Sequence, residues 1–277
     1  MPNPALNEKV FQASVVPTET EAGWAAPGAE TGTYHAPITD GPATPYRSVR
    51  TGVMTVGGTA AATGVLLVLL LAAAVVGWNL VSVDATSQDV NFPGWLLLPL
   101  FAALGVAFLT AFKPHLARFT SPVYALLEGL VVGAISHVFD AQWDGIVLQA
   151  VGATVGVFAV MLALYGLRII RVTDRFRRIV IGATLGVVLL YGVSLLFSLF
   201  GSTPSFLYDS SLLGIGLSVL VAGIAAFNLA LDFDMIEKGS NMGAPKYMEW
   251  YGAFGLLVTL VWLYLELLRL LARLRSR

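Results

Sequence analysis

The sequence predicts an all-α membrane protein, a bundle of about seven transmembrane helices, and three observations carry that reading. First, 57% of the 277 residues are apolar and only 12% are charged, where a soluble domain carries about 25% charged residues; the mean hydropathy is +0.78. Second, several apolar runs are long enough to cross roughly 30 Å of hydrocarbon, which takes about 20 residues. Third, short segments rich in charge, Gly and Pro separate these runs. Lipid offers no partner to an unpaired backbone group, so helices must fill such runs.

Residues 1–50 come first. They hold seven of the thirteen prolines, among them Pro2, Pro17, Pro27 and Pro45, with no sustained apolar period. This composition predicts a disordered tail ahead of a membrane domain over 51–277. A secretory signal is not expected, because the first apolar run begins only after Arg50.

The spans follow at about 54–81, 94–112, 122–139, 146–170, 179–200, 210–232 and 250–271. Their connections alternate in charge. Arg47 and Arg50, then Lys113 and Arg118, then the arginines of 168–178, then Lys238 and Lys246 fall on one side. The other loops carry Asp84, Asp89, Asp140, Asp144 and Asp209 without Lys or Arg. Cationic loops stay in the cytoplasm, so the N-terminus is expected to be cytoplasmic. The final arginines, Arg269, Arg273, Arg275 and Arg277, then fall on the wrong side. Either the seventh segment re-enters, or these arginines snorkel to the far interface.

Several function classes drop out on composition. A net charge of −1 provides no basic field for nucleic acid. Without cysteine there are no disulfides, thiolate metal sites or Cys nucleophiles. Neither H-E-x-x-H, G-x-x-x-x-G-K-[ST] nor G-x-S-x-G occurs, so no enzymatic activity, cofactor or metal centre is expected. The partner that composition implies is the bilayer itself.

Ionisable groups within apolar runs are expensive in lipid and mark functional candidates. Glu128 sits about two turns into the third span if that span starts near Pro122. It is either an interfacial carboxylate or one lining a polar cavity. Asp232 and Asp234 close the sixth span. Two residues apart on a helix, they point about 200° from each other and cannot both face one cavity. They either mark the water interface or supply one titratable carboxylate whose protonation unlatches an ion pair. Glu249 opens the seventh span, and Glu266 lies three residues before Arg269, a spacing that predicts a structural ion pair. His137 reads as an interfacial histidine. The glycine pairs Gly129/Gly133, Gly152/Gly156 and Gly182/Gly186 predict close helix packing.

Longer motifs then carry a resemblance. The segment Pro122-Val-Tyr-Ala-Leu-Leu-Glu-Gly-Leu-Val-Val-Gly-Ala-Ile-Ser136 and the segment Ala225-Ala-Phe-Asn-Leu-Ala-Leu-Asp-Phe-Asp-Met-Ile-Glu-Lys-Gly239 resemble the Bax inhibitor-1/YccA family. So do Asn-Pro-Ala-Leu-Asn at 3–7 and Lys246-Tyr-Met-Glu-Trp-Tyr251 before Leu267-Leu-Arg-Leu-Leu271. The order and spacing are similar to the bacterial YccA-like branch with an extended N-terminus. The resemblance implies a seven-helix bundle with a central last helix in the bacterial inner membrane. It also implies a pH-sensitive calcium leak gated by an aspartate pair on the sixth and seventh helices. The sixth-helix aspartate, four residues before an isoleucine, falls on Asp232 with Ile236, whereas the seventh-helix position falls on Thr259, which cannot ionise. Glu128, Asp234 or Glu249 would then supply any second carboxylate. The alternative implied function is a non-conducting adaptor that modulates membrane-protein quality control or proteolysis, with the tail as its docking segment.

Overall fold

The computed structural model describes residues 52–83, 90–91, 93–200 and 211–276; the expected tail lies outside them, apart from its junction with the first helix. Seven helices are long and apolar enough to cross a membrane. They are α1 (Val56–Leu80), α2 (Leu97–Phe112), α3 (Ala117–Gln142), α4 (Ile146–Gly166), α5 (Asp174–Leu199), α6 (Leu212–Asn241) and α7 (Met248–Arg275). A single 3₁₀ turn leads into each of α2 and α3. Two short strands, β1 (Ser82–Val83) and β2 (Val90–Asn91), pair antiparallel between α1 and α2. Side-chain caps define three helix starts: Thr55 accepts from Gly58 N, Thr173 from Phe176 N, and Ser211 from Gly214 N.

The helices alternate in direction. α1, α3, α5 and α7 begin at what we call the near end, and α2, α4 and α6 at the far end. Val53 bridges Pro245 and Ser121 Oγ donates to Trp250 O at the near end, while Arg275 donates to Asp144 O at the far end.

α7 is the centre of the bundle and touches α1, α3, α4 and α6. In its most apolar stretch 56% is buried inside the protein, against 17% in α4 and α5. The outward faces of the other helices carry Val68, Val75, Phe101, Leu148 and Leu189, all exposed, as a lipid solvent demands. The α5 helix packs mainly on α6, and the two enclose an apolar cavity of about 450 Å³ lined by residues such as Ile179, Leu190, Leu217 and Phe227.

Small residues set the tightest contact. A Cβ on Gly133 would lie 2.0 Å from Ala74 O, one on Gly77 2.1 Å from Leu130 O, and one on Gly129 2.4 Å from Leu70 O. α1 and α3 therefore meet backbone to backbone, the close approach the Gly129/Gly133 spacing predicts. The other two pairs differ: around Gly152, Gly156, Gly182 and Gly186 an added Cβ meets nothing within 4 Å. Interhelical hydrogen bonds supplement the packing, between Ser136 Oγ and Tyr264 Oη (2.6 Å), from Asn228 Nδ2 to Thr184 Oγ1 (2.8 Å) and from Thr110 Oγ1 to Thr120 Oγ1 (2.7 Å). Each such bond contributes roughly 0.6 kcal/mol in a membrane bundle.

Several expected boundaries move; α4 ends at Gly166 rather than near 170, and α5 starts at Asp174 rather than near 179. α3 starts at Ala117 rather than near Pro122, so Pro122 lies inside the helix and Glu128 sits about three turns in instead of two. The polar stretch from Arg118 to Ser121 hid this, because its helical backbone is held by buried Ala117 and Ser121 rather than by an apolar run. α6 does not stop at Asp232 but continues to Asn241. Phe233 and Ile236 stay buried beyond it, and Asp234 pairs with Lys238 one turn on (2.9 Å). α7 does not re-enter; it runs 28 residues along α6 to the far end, roughly 42 Å.

Candidate functional site

The extension of α6 changes what Asp232 is. Instead of closing a span at the water interface, it lies 5% exposed in the α6–α7 seam. Its carboxyl faces the Thr259 hydroxyl of α7, and Oδ2 has no hydrogen-bond partner. Among the described residues no cation forms an ion pair with it. A lone carboxylate in hydrocarbon is costly, so its retention calls for a role.

Thr259 has a second obligation, since its Oγ1 also donates to Gly255 O at 3.2 Å. A hydroxyl carries one proton. If Asp232 is ionised, Thr259 can satisfy either the carboxylate or the carbonyl. If Asp232 is protonated, the relay runs from Asp232 through Thr259 to Gly255 O and both bonds form. The position where the resemblance lacks its second aspartate is thus the residue that faces the first, and it cannot ionise.

One turn away, Ile236 touches Gly252, where a Cβ would come within 3.2 Å of Ile236 Cγ1 and of Thr59 Cγ2. α1, α6 and α7 therefore meet closely just on the near-end side of Asp232.

Asp234 points the other way, as helix geometry requires. Arg177 Nη2 of α5 donates to its Oδ2 at 2.7 Å, and Lys238 reaches the same oxygen. It is a buried carboxylate that ties α5 to α6, not a partner for Asp232. Nearby, Tyr165 Oη of α4 donates to Glu237.

Glu249 is also elsewhere. Buried to 6% exposure, its Oε1 accepts from Thr55 N (3.0 Å) and Thr55 Oγ1 (2.9 Å) at the start of α1. Thr55 accepts in turn from Gly58 N at 2.9 Å. This is a capping box whose acidic member comes from another helix. Residue 58 is glycine because a Cβ there would sit 2.1 Å from Glu249 Oε1. A negative charge at the start of α1 also suits the helix dipole.

Glu128 is half-buried on α3, one turn past Tyr124, and no hydrogen bond or ion pair joins it to Asp232 among the described residues. His137 stacks on Trp78 at 4.9 Å with its Nδ1 buried and unpartnered.

The predicted Glu266–Arg269 pair is present, Nη1 to Oε2 at 2.6 Å. No spacing or motif announces what surrounds it. Tyr191 Oη of α5 donates to Glu266 Oε2 at 3.0 Å and accepts from Arg269 Nη1 at 2.8 Å. Arg273 does not snorkel outward. It is 6% exposed and donates to Gly214 O and to Ser218 Oγ (2.7 Å) of α6. The only available signal for this cluster was the three-residue spacing of Glu266 and Arg269; Tyr191 and Ser218 lie on helices with no pattern pointing to α7.

A family model described as Bax inhibitor 1 like matches residues 3–276. No match is found to a curated protein or to a solved structure. The family match spans nearly every residue of a seven-helix bundle arranged around its last helix: the chain belongs to the Bax inhibitor 1 like family.

Proposed function

We propose that the protein is a pH-sensitive cation leak, with calcium as the ion and Asp232 as the gating carboxylate, working in a bacterial inner membrane as a YccA-like member of its family. The observation that supports this most directly is the buried Asp232 with its unpartnered Oδ2 against Thr259. Protonation exchanges one hydrogen-bond pattern for another between α6 and the central helix, and that exchange is a means of opening. The role is transport, not enzymatic turnover. The near end carries Lys113, Arg118, Arg171, Arg175, Arg178 and Lys246, which supports a cytoplasmic near end and N-terminus.

Purified protein in calcium-loaded liposomes provides the test. Wild type should release calcium at a rate that changes with pH, and Asp232→Asn should flatten that dependence. Release no faster than from empty vesicles across the accessible range would defeat the proposal.

A second reading, the non-conducting adaptor, is favoured by the open faces at Gly152, Gly156, Gly182 and Gly186, which leave backbone available to a partner helix. Crosslinking in membranes, with bulky substitutions at Gly152 and Gly182, separates the two readings. Partners lost with unchanged flux would support the adaptor, while flux changes with no partner would remove it.

A further inference from the structure

One stripe of α5 runs the length of the cavity that this helix shares with α6. Ile179, Ala183, Gly186 and Leu190 recur along it at three- and four-residue steps, and no lining residue on either helix is polar. Gly186 adds depth, since a Cβ there would meet nothing within 4 Å. The floor is closed by buried Val180, Val187 and Val221, while Ile179, Leu220 and Phe227 are exposed at the rim. The cavity is therefore a groove that opens sideways into hydrocarbon, and an apolar space of about 450 Å³ does not hold water.

Length and charge identify the occupant. From Ile179 to Leu190 the stripe rises roughly 16 Å, about half of a hydrocarbon core roughly 30 Å thick. That is the depth of one leaflet and the reach of a lipid acyl chain, and it is too short to seat a helix that crosses the whole bilayer. One turn beyond the near-end mouth the same stripe reaches Arg175, with Arg178 beside it. Both are exposed, Arg178 gives only its Nε, to Asp174 O at 3.3 Å, and neither forms an ion pair among the described residues. Arg168 and Arg171, in the turn before α5, are exposed as well. Against these four arginines stand Asp174 and Glu237, since Asp234 is already held by Arg177 and Lys238. The mouth is net positive.

We propose that the α5–α6 groove is a binding site for an anionic phospholipid, with one acyl chain lying along Ala183 and Gly186 and the phosphodiester meeting Arg175 and Arg178 at the near-end mouth. A guanidinium pairs two nitrogens with two phosphate oxygens. Every phospholipid offers that phosphate, so selectivity comes from the rest of the headgroup: a net positive mouth repels the ammonium of a zwitterionic lipid and accepts a neutral glycerol. The site stands whether or not the protein conducts.

The test extracts the full chain into mild detergent from vesicles of equal phosphatidylglycerol and phosphatidylethanolamine and counts the retained lipids by native mass spectrometry, with melting temperature as the check on folding. Wild type should keep phosphatidylglycerol in preference. Arg175→Gln combined with Arg178→Gln should lower that retention about tenfold and leave phosphatidylethanolamine unchanged. Gly186→Phe should lower retention of both lipids by filling the groove; if it fails to fold, Gly186→Leu takes its place. Lys113→Gln combined with Arg118→Gln, exposed basic residues at the α2–α3 turn, should change nothing. Equal retention of the two lipids by wild type, or a loss in the Lys113 and Arg118 variant as large as in the Arg175 and Arg178 variant, overturns the site. A Gly186→Phe chain that keeps its phosphatidylglycerol reduces the arginines to a surface patch and overturns the groove. A wild-type dimer that Gly186→Phe dissociates, with no lipid lost, gives the groove to a second copy and overturns the proposal as well.

Discussion

The backbone contact between α1 and α3 allows a prediction whose sign reverses between two glycines of similar appearance in the sequence. Replacing Gly133 by alanine puts a Cβ 2.0 Å from Ala74 O, 2.6 Å from Ala74 C and 2.7 Å from Ala74 Cα. Ordinary contact begins at 3.4 Å, so the helices must part by roughly 1.4 Å. The obstacle is backbone and cannot swing aside. Separation also loosens the neighbouring approaches at Gly77 and Gly129, 2.1 and 2.4 Å from backbone oxygens. Overpacking of this kind costs about 1–3 kcal/mol, and the upper figure applies where no side chain can yield. At 2–4 °C per kcal/mol for a chain near this size, Gly133→Ala should melt on the order of 10 °C below wild type.

Gly152→Ala is the control. Its Cβ meets nothing within 4 Å, and alanine improves helix propensity by up to about 1 kcal/mol. The variant should melt at or slightly above wild type. Tryptophan fluorescence during a thermal ramp in mild detergent reads both, since the chain has six tryptophans. Equal melting of Gly133→Ala and wild type would refute the packing argument. An equal fall at Gly152→Ala would mean that its face is covered by a second chain.

Two further substitutions separate the carboxylates by role. Glu249→Ala removes the acceptor for Thr55 N and Oγ1 and should destabilise by about 2 kcal/mol, with faster amide exchange confined to the first turn of α1; Glu249→Gln, which keeps an oxygen, should lose about half as much. Asp234→Asn weakens the ties of a carboxylate only 8% exposed to Arg177 and Lys238, should cost about 1–3 kcal/mol, and should leave calcium flux and its pH dependence intact, in contrast to Asp232→Asn.

How much of this was legible in the sequence depends on the range of the interaction. Hydrocarbon thickness and backbone satisfaction act within each segment, so all seven helices were readable, and the three-residue spacing of Glu266 and Arg269 correctly announced their pair. Boundaries failed where the local signal and the tertiary contact disagree. α6 reads as ending at Asp232 because two carboxylates follow an apolar run, yet Phe233 and Ile236 bury against neighbours and carry the helix onward. The capping role of Glu249 was invisible because its partner, Thr55, lies 194 residues away. Of the carboxylates considered as partners for Asp232, Asp234 and Glu249 are bonded elsewhere and Glu128 is not joined to it. Thr259 was identified only through its alignment position, and its contact with Asp232 is a property of the α6–α7 register.

That register also explains why function converges on α7. Thr259, Glu266 and Arg273 recur every seven residues along one side of α7, and Glu249 at its start lies roughly a quarter-turn round from them, facing the α1 cap. These residues tie α7 to α1 at one end, to α6 in the middle, and to both α5 and α6 at the other. A helix is stiff along its axis, so a rotation or axial shift of α7 that relieves the competing bonds at Thr259 must also strain the Thr55 cap and the Arg273–Ser218 contact. On the proposed gating by Asp232, the near-end cap opposes motion of α7 there and the Arg273–Ser218 contact opposes it from the far side. Weakening either end should therefore lower the barrier at Asp232 without touching Asp232 itself. Under that proposal the lever for gating lies in the anchoring of α7, and the carboxylate sets only when that lever is released.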